Sequence, residues 1–126
     1  MNLELPPLDL NTLSSMGRIE DGAIVIEMTG SADMESVEPL VAHLASLHLE
    51  MQRTRTPEVV VDFRRLEFMS SSSLKAFVEW IAIIQDLEPP DRYRIRFRSN
   101  PTLRWQKRSL HSLQCFASDL ISVQER

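Results

Sequence analysis

The run Glu58-Val59-Val60-Val61-Asp62-Phe63 is apolar at consecutive positions. A strand with one wet face alternates apolar and polar residues. A run apolar on both faces belongs in the middle of a sheet, and this is how a buried parallel strand reads. Parallel neighbours need crossover connections of a dozen or more residues, usually helices. The segments that follow the run supply them.

Upstream, residues 14–19 fit a short strand. Glu20-Asp21-Gly22 reads as a hairpin turn, and the β-branched Ala23-Ile24-Val25-Ile26-Glu27-Met28 as a second strand that Gly30-Ser31-Ala32-Asp33 ends. The period then changes. Val37, Leu40, Val41, Leu44, Leu47, His48 and Met51 follow the three-four spacing of an amphipathic helix, with Ser36 as N-cap and Pro39 in the first turn, fading near Arg53.

Beyond the central run, four serines at 70–73 lead into a helix with Leu74, Phe77, Val78, Ile81 and Ile84 or Gln85 along its inner face, stopped by Pro89-Pro90. Tyr93, Ile95 and Phe97 alternate with Arg92, Arg94, Arg96 and Arg98, a period-two strand with one basic face. A third helix spans roughly Thr102 to Phe116, on Leu103, Leu110, Leu113 and Trp105 or Phe116. Leu120-Ile121-Ser122-Val123 reads as a last edge strand.

The fold class expected is α/β, a mixed sheet of four to five strands with three to four helices. Residues 1–12, aperiodic and proline-containing, read as a flexible N-terminal arm, and residues 13–126 as one domain, which 126 residues suit. No run of eighteen apolar residues occurs, so no membrane insertion is expected. The first residues lack a basic region followed by an apolar run and do not read as a secretory signal. Cys115 stands alone, and a cytoplasmic location is expected.

In open α/β sheets, binding sites gather at the carboxyl ends of the strands. Three loops belong there: Gly30 to Asp33, Phe68 to Ser73, and Ser99-Asn100-Pro101. The serine run also opens a helix, whose free N–H groups and partial positive charge favour phosphate. On the residues alone the serines read first as helix caps. Phosphorylation would make the same loop a switch, because it adds up to two charges and strong acceptors.

The stretch from Val59 through Asp62, Leu66-Glu67-Phe68-Met69 and Ser70-Ser71-Ser72-Ser73-Leu74 resembles the central motif of STAS domains of the anti-sigma-factor antagonist type. There an apolar strand ends in Asp, a short turn leads to an apolar pair, and Asp-Ser-Ser/Thr-Gly-Leu opens a helix. Gly30-Ser31-Ala32-Asp33 is similar to the family's Gly-x-apolar-Asp, and Asn100-Pro101 fits the loop before its third helix. The likeness runs from about residue 13 to 123. Ser70 departs from the motif's Asp and Ser73 from its Gly.

The resemblance implies a STAS-like mixed sheet and a bacterial, cytoplasmic phosphoprotein that takes part in signal transduction and transcription regulation by partner switching. It places the phosphorylation site at Ser71, with Ser70 and Ser72 as alternatives, and partner contacts at Asp33, Ser70, Ser71, Ser72, Ser73 and Asn100. The implied partners are a serine-kinase-type anti-sigma factor or switch kinase and a PP2C-type phosphatase. The alternative within the fold is a non-phosphorylated scaffold or a transporter-associated subunit.

Other chemistries find less support. Residues 1–60 carry ten acids against three bases, and residues 61–126 eight against eleven. The acidic half and the lack of aromatic residues among the arginines argue against direct nucleic-acid binding. The arginine stripe reads as a solvated sheet face. His43, His48 and His111 form no metal set and read as solvated or half-buried. Only three glycines occur and none flanks the serine run, so neither a hydrolase elbow nor a P-loop is present. No enzymatic activity, catalytic residue, metal or cofactor is expected. Trp80 lies off its helix's apolar stripe and reads as packing against the third helix, or, if exposed, as an interface anchor.

Overall fold

The structure, a computed structural model, describes residues 2–125. Met1 and Arg126, the outermost residues of the expected arm and domain, lie outside the described residues. Strands β1 (Leu8–Asp9), β2 (Leu13–Glu20) and β3 (Ala23–Ala32) precede helix α1 (Val37–Thr54). Strand β4 (Glu58–Met69), helix α2 (Ser71–Gln85), strand β5 (Arg94–Ser99), helix α3 (Arg104–Phe116) and strand β6 (Ile121–Glu125) follow. The six strands form one sheet in sequential order. The first three pair antiparallel, and β3 through β6 run parallel. The sheet is mixed as expected but has six strands rather than four or five. The added β1 is two residues long, too short to leave a periodic signal.

Each parallel connection carries the chain one strand further in the same direction. With right-handed crossovers, this puts all three helices on one face of the sheet. The core lies between: Ile24, Ile26, Met28, Val59, Val61, Phe63, Ile95 and Phe97 meet Leu40, Leu44, Leu47, Phe77, Ile81, Leu110 and Leu113. Phe63 stands at its centre, edge-on to Phe77 and tilted against Phe97 at centroid distances of 5.4 and 5.2 Å. Residues 2–12 lie against this layer. Leu5 and Leu8 are buried, and the Glu4 N–H donates to the Glu50 carboxylate.

The hairpin turn forms at Asp21-Gly22, both at positive φ, which suits a two-residue turn closing the pair Glu20–Ala23. Gly30 does not end its strand. It sits at φ +105° in an irregularity of β3, where a side chain would collide with the Thr12 carbonyl, and Ser31 N–H donates to that carbonyl at 2.7 Å. Strand β3 therefore continues to Ala32. Its tail pairs with Arg65 through Met69, which keeps β4 extended well past the expected Phe63.

The other face of the sheet carries charge over Ala23, Val25 and Val60. Arg18 bridges Glu20 and Glu27, Arg96 meets Glu58, Arg98 meets Glu20 and Arg64 holds Asp62. Arg94, Arg96 and Arg98 thus occupy the solvated face expected of the stripe. Asp62 is buried, whereas the other carboxylates of these pairs are half-buried or exposed. Arg92 is not part of that face. It precedes β5 and donates to the carbonyls of Leu87 and Gln85, closing the carboxyl end of α2.

Three side chains sit differently from the sequence reading. Ser36 makes no side-chain cap for α1. Asp33 caps a short 3-10 turn, Met34–Ser36, that leads into the helix. His43 is neither solvated nor half-buried: it is buried on the inner face of α1 with Nε2 2.8 Å from Ser15 Oγ. Trp80 is core, but toward α1 rather than α3. Its Nε1 donates to Tyr93 Oη at 2.9 Å, and the Tyr93 ring packs on His48.

Candidate functional site

Strand β4 ends at Met69, and the chain turns into α2 through Ser70, whose extended backbone places it as N-cap. Its Oγ accepts the Ser73 N–H at 3.1 Å, satisfying one donor that the first helical turn leaves free. An Asp at this position would accept the same bond, so the departure at Ser70 keeps the cap. The departure at Ser73 is also accommodated. The position is helical, and the Ser73 hydroxyl, fully buried, donates to the carbonyls of Ala32 and Asp33 at 3.2 and 3.3 Å. Ser70 Oγ in turn donates to Ser73 Oγ at 3.0 Å.

Both hydroxyl protons of that pair are therefore engaged. Ser71 and Ser72, the first two residues of α2, are exposed, with no side-chain hydrogen bond among the described residues. No acid occupies the first turn of the fifteen-residue helix, so its N-terminal positive end is uncompensated there.

The β3–α1 loop is tied to the serines. Ser70 N–H donates to the Ala32 carbonyl at 2.8 Å, beside the two Ser73 bonds. Asp33 Oδ1 accepts from the Ser36 hydroxyl at 2.8 Å and the Ser36 N–H at 3.1 Å, and Oδ2 from Thr12 Oγ1 at 3.4 Å. The Ser36 hydroxyl first, then its N–H and Thr12, outweigh burial and hold Asp33 below the ordinary carboxylate range. Its carboxylate is thus committed to shaping the loop.

Asn100 is held elsewhere. Its Nδ2 donates to the Arg64 carbonyl, its Oδ1 accepts from Thr102, and its N–H donates to Gln106 Oε1 at 2.8 Å. It has no hydrogen bond to the serines among the described residues. The structure joins Asp33 to Ser70–Ser73 and fastens Asn100 to the middle of β4.

Two features of this end escaped the sequence reading. Gln106, fully buried, donates to the carbonyls of Phe63 and Leu66 while accepting from Asn100. It satisfies carbonyls where β4 runs on beyond the last pairing with β5 at Asp62–Arg98. The signal was available: Gln106 falls at helical spacing between Leu103 and Leu110, a polar residue in an apolar stripe. Met34 and Phe68 are 75% and 50% exposed, apolar groups on the two segments joined by the serine loop's hydrogen bonds.

Asp62 anchors the strand that presents the loop. Burial pushes its carboxyl up, but hydrogen bonds from the Arg64 side chain and N–H, with the charges of Arg64 and Arg98, pull it below its usual range. The site thus offers two free hydroxyls at the positive end of a helix, braced by capped serines. The Ser15–His43 contact lies in the interior, where both residues are buried. Among the described residues no helix is long and apolar enough to cross a membrane, and no group of three His, Cys, Asp or Glu is placed to hold a metal.

No protein-family model and no curated protein matches the chain in sequence. Solved structures do. An anti-sigma factor antagonist from Mycobacterium paratuberculosis superposes with a TM-score of 0.65 at 16% identity, over 90% of this chain and 86% of that one. An antisigma-factor antagonist STAS domain from Rhodobacter sphaeroides gives 0.53 at 17% identity, over 69% of this chain and 86% of that one. The chain has the STAS-domain fold.

Proposed function

We propose that this STAS-fold chain is the regulatory protein–protein interaction module of a partner-switching pathway, of the anti-sigma-factor antagonist type, and that phosphorylation of Ser71 controls it. It acts by binding rather than by catalysis. The observation that carries the reading is the division of labour within the serine run. Ser70 and Ser73 have their hydroxyls engaged in cap and loop bonds, whereas Ser71 stands exposed at the first position of α2. A phosphate there meets free N–H groups and the positive end of the helix dipole. It also changes the charge of a surface that includes the exposed Met34 and Phe68.

In this reading the unphosphorylated face docks, with Asp33, the serines and Asn100, on a serine-kinase-type anti-sigma factor or switch kinase. The added phosphate releases that partner, and a PP2C-type phosphatase restores binding, all in the cytoplasm. Ser72 is the alternative acceptor. Ser70 is the weaker alternative, because modifying it would remove the cap.

The test is intact mass and phosphosite mapping of protein recovered from its native cell, with and without PP2C-type phosphatase treatment. One phosphatase-sensitive phosphate on Ser71, lost in Ser71→Ala, is the expected result. A serine run that stays unmodified under all growth conditions overturns the switch and leaves the non-phosphorylated scaffold or transporter-associated reading.

A further inference from the structure

Farther along α2, away from the serines, the surface between α1 and α2 holds a groove of about 280 Å³. Val41, Ala45 and Leu49 border it on α1, at i, i+4 and i+8, one ridge of the helix. Ala76, Trp80 and Ile83 border it on α2. The sequence pattern assigns Val41 to the core, yet it is 43% exposed, and Leu49 and Ile83 are 67% and 50% exposed. Large apolar side chains on both rims, with alanines between them, make a furrow into which a third helix packs by the rule that joins α1 to α2.

The charge of the lining narrows the occupant. Glu79 is the one carboxylate in it, no Lys or Arg lines it, and Glu79 makes no ion pair among the described residues. His48 also lines the groove. The Tyr93 hydroxyl accepts from Trp80 Nε1 at 2.9 Å and lies 2.6 Å from His48 Nδ1. Burial lowers the His48 pKa, which favours the uncharged ring. A second copy of this chain, packed about a two-fold axis, would set Glu79 against a like patch carrying the same carboxylate.

We propose that this groove is a docking site for an amphipathic helix of a partner protein, with Lys or Arg flanking its apolar stripe. The apolar stripe lies between Leu49 and Ile83 over the alanines, and a flanking cation pairs with Glu79. Val41 to Leu49 spans about 12 Å, so roughly two turns of the partner are engaged.

The experiment uses the whole chain, isotope-labelled for NMR, and three synthetic peptides of about 14 residues. One has Leu on one helical face and Lys on the other, one has Glu in place of Lys, and one has the Leu/Lys composition in scrambled order. The expected result is that the amphipathic Leu/Lys peptide shifts the amides of residues 41–49 and 76–83 and the Trp80 indole. Ala45→Arg, exposed and so compatible with folding, weakens it about tenfold by filling the furrow. Glu79→Lys weakens it about fivefold and strengthens the Leu/Glu peptide. Equal binding of the scrambled peptide, shifts confined to the serine loop or the charged sheet face, or indifference to Glu79→Lys overturns the proposal. So does self-association of the free chain that Ala45→Arg abolishes, because the groove then belongs to a second copy.

Discussion

Ser70 Oγ and Ser73 Oγ lie 3.0 Å apart, and between them they close a relay from the first turn of α2 to the Ala32 carbonyl. The relay separates serines that hold the loop from serines that are free to react.

The first prediction follows from that separation. Ser70→Ala is expected to lose about 1 kcal/mol of stability, the usual cost of an N-cap. Ser70→Asp restores the cap bond, since a carboxylate accepts the Ser73 N–H, but not the bond that Ser70 Oγ donates to Ser73 Oγ, so it recovers part of the loss. Ser71→Ala, at an exposed position without a partner, stays within about 0.5 kcal/mol of the parent. Urea unfolding of the three variants checks the order, and a Ser71→Ala loss equal to that of Ser70→Ala contradicts it.

A second prediction concerns pH. Burial lowers the His43 pKa below its ordinary 6.5, and burial lowers that of the half-buried His48 as well. Between the folded and unfolded values the unfolded chain binds more protons, so stability rises with pH. The contribution is complete above about 6.5 and is lost as pH falls from there through the folded value. The urea midpoint is therefore expected to fall as pH drops from 7 to 5, before carboxylates such as Asp62 titrate. His43→Gln, which keeps a polar group near Ser15 but cannot charge, flattens part of that slope. An unchanged slope in the variant contradicts the assignment.

A third prediction isolates Gln106. Gln106→Leu keeps the size of the side chain but leaves the Phe63 and Leu66 carbonyls and the Asn100 N–H without this partner. The cost is expected at about 3 kcal/mol, because unsatisfied buried backbone groups cost 1–3 kcal/mol each and relaxation recovers part of it. Thermal unfolding measures the loss. Amide exchange at residues 63–67 and 100–103 should quicken more than in α1, which separates a local clamp from general weakening.

The order of elements was legible because each is written in a local period. Val59-Val60-Val61 marked the central strand, the arginine alternation marked β5, and the three-four spacings marked the helices. The loops that form the candidate site followed from strand direction alone. Length was less legible. Strand β4 reaches Met69 because the tail of β3 pairs with it, and β3 continues only because Gly30 makes room for the Thr12 carbonyl.

By itself, the sequence determined the α/β class, the order of the elements along the chain and the cluster of serines at a helix start, since these depend on which faces are apolar and where turns fall. Only the tertiary structure decided that Ser70 and Ser73 are engaged while Ser71 is free, that His43 is buried on Ser15, and that Val41 faces outward beside Leu49. Periodicity along one segment sets which residues share a face. Whether that face is covered, and which hydroxyl finds a carbonyl forty residues away, depends on the register and packing of segments that never touch in the sequence.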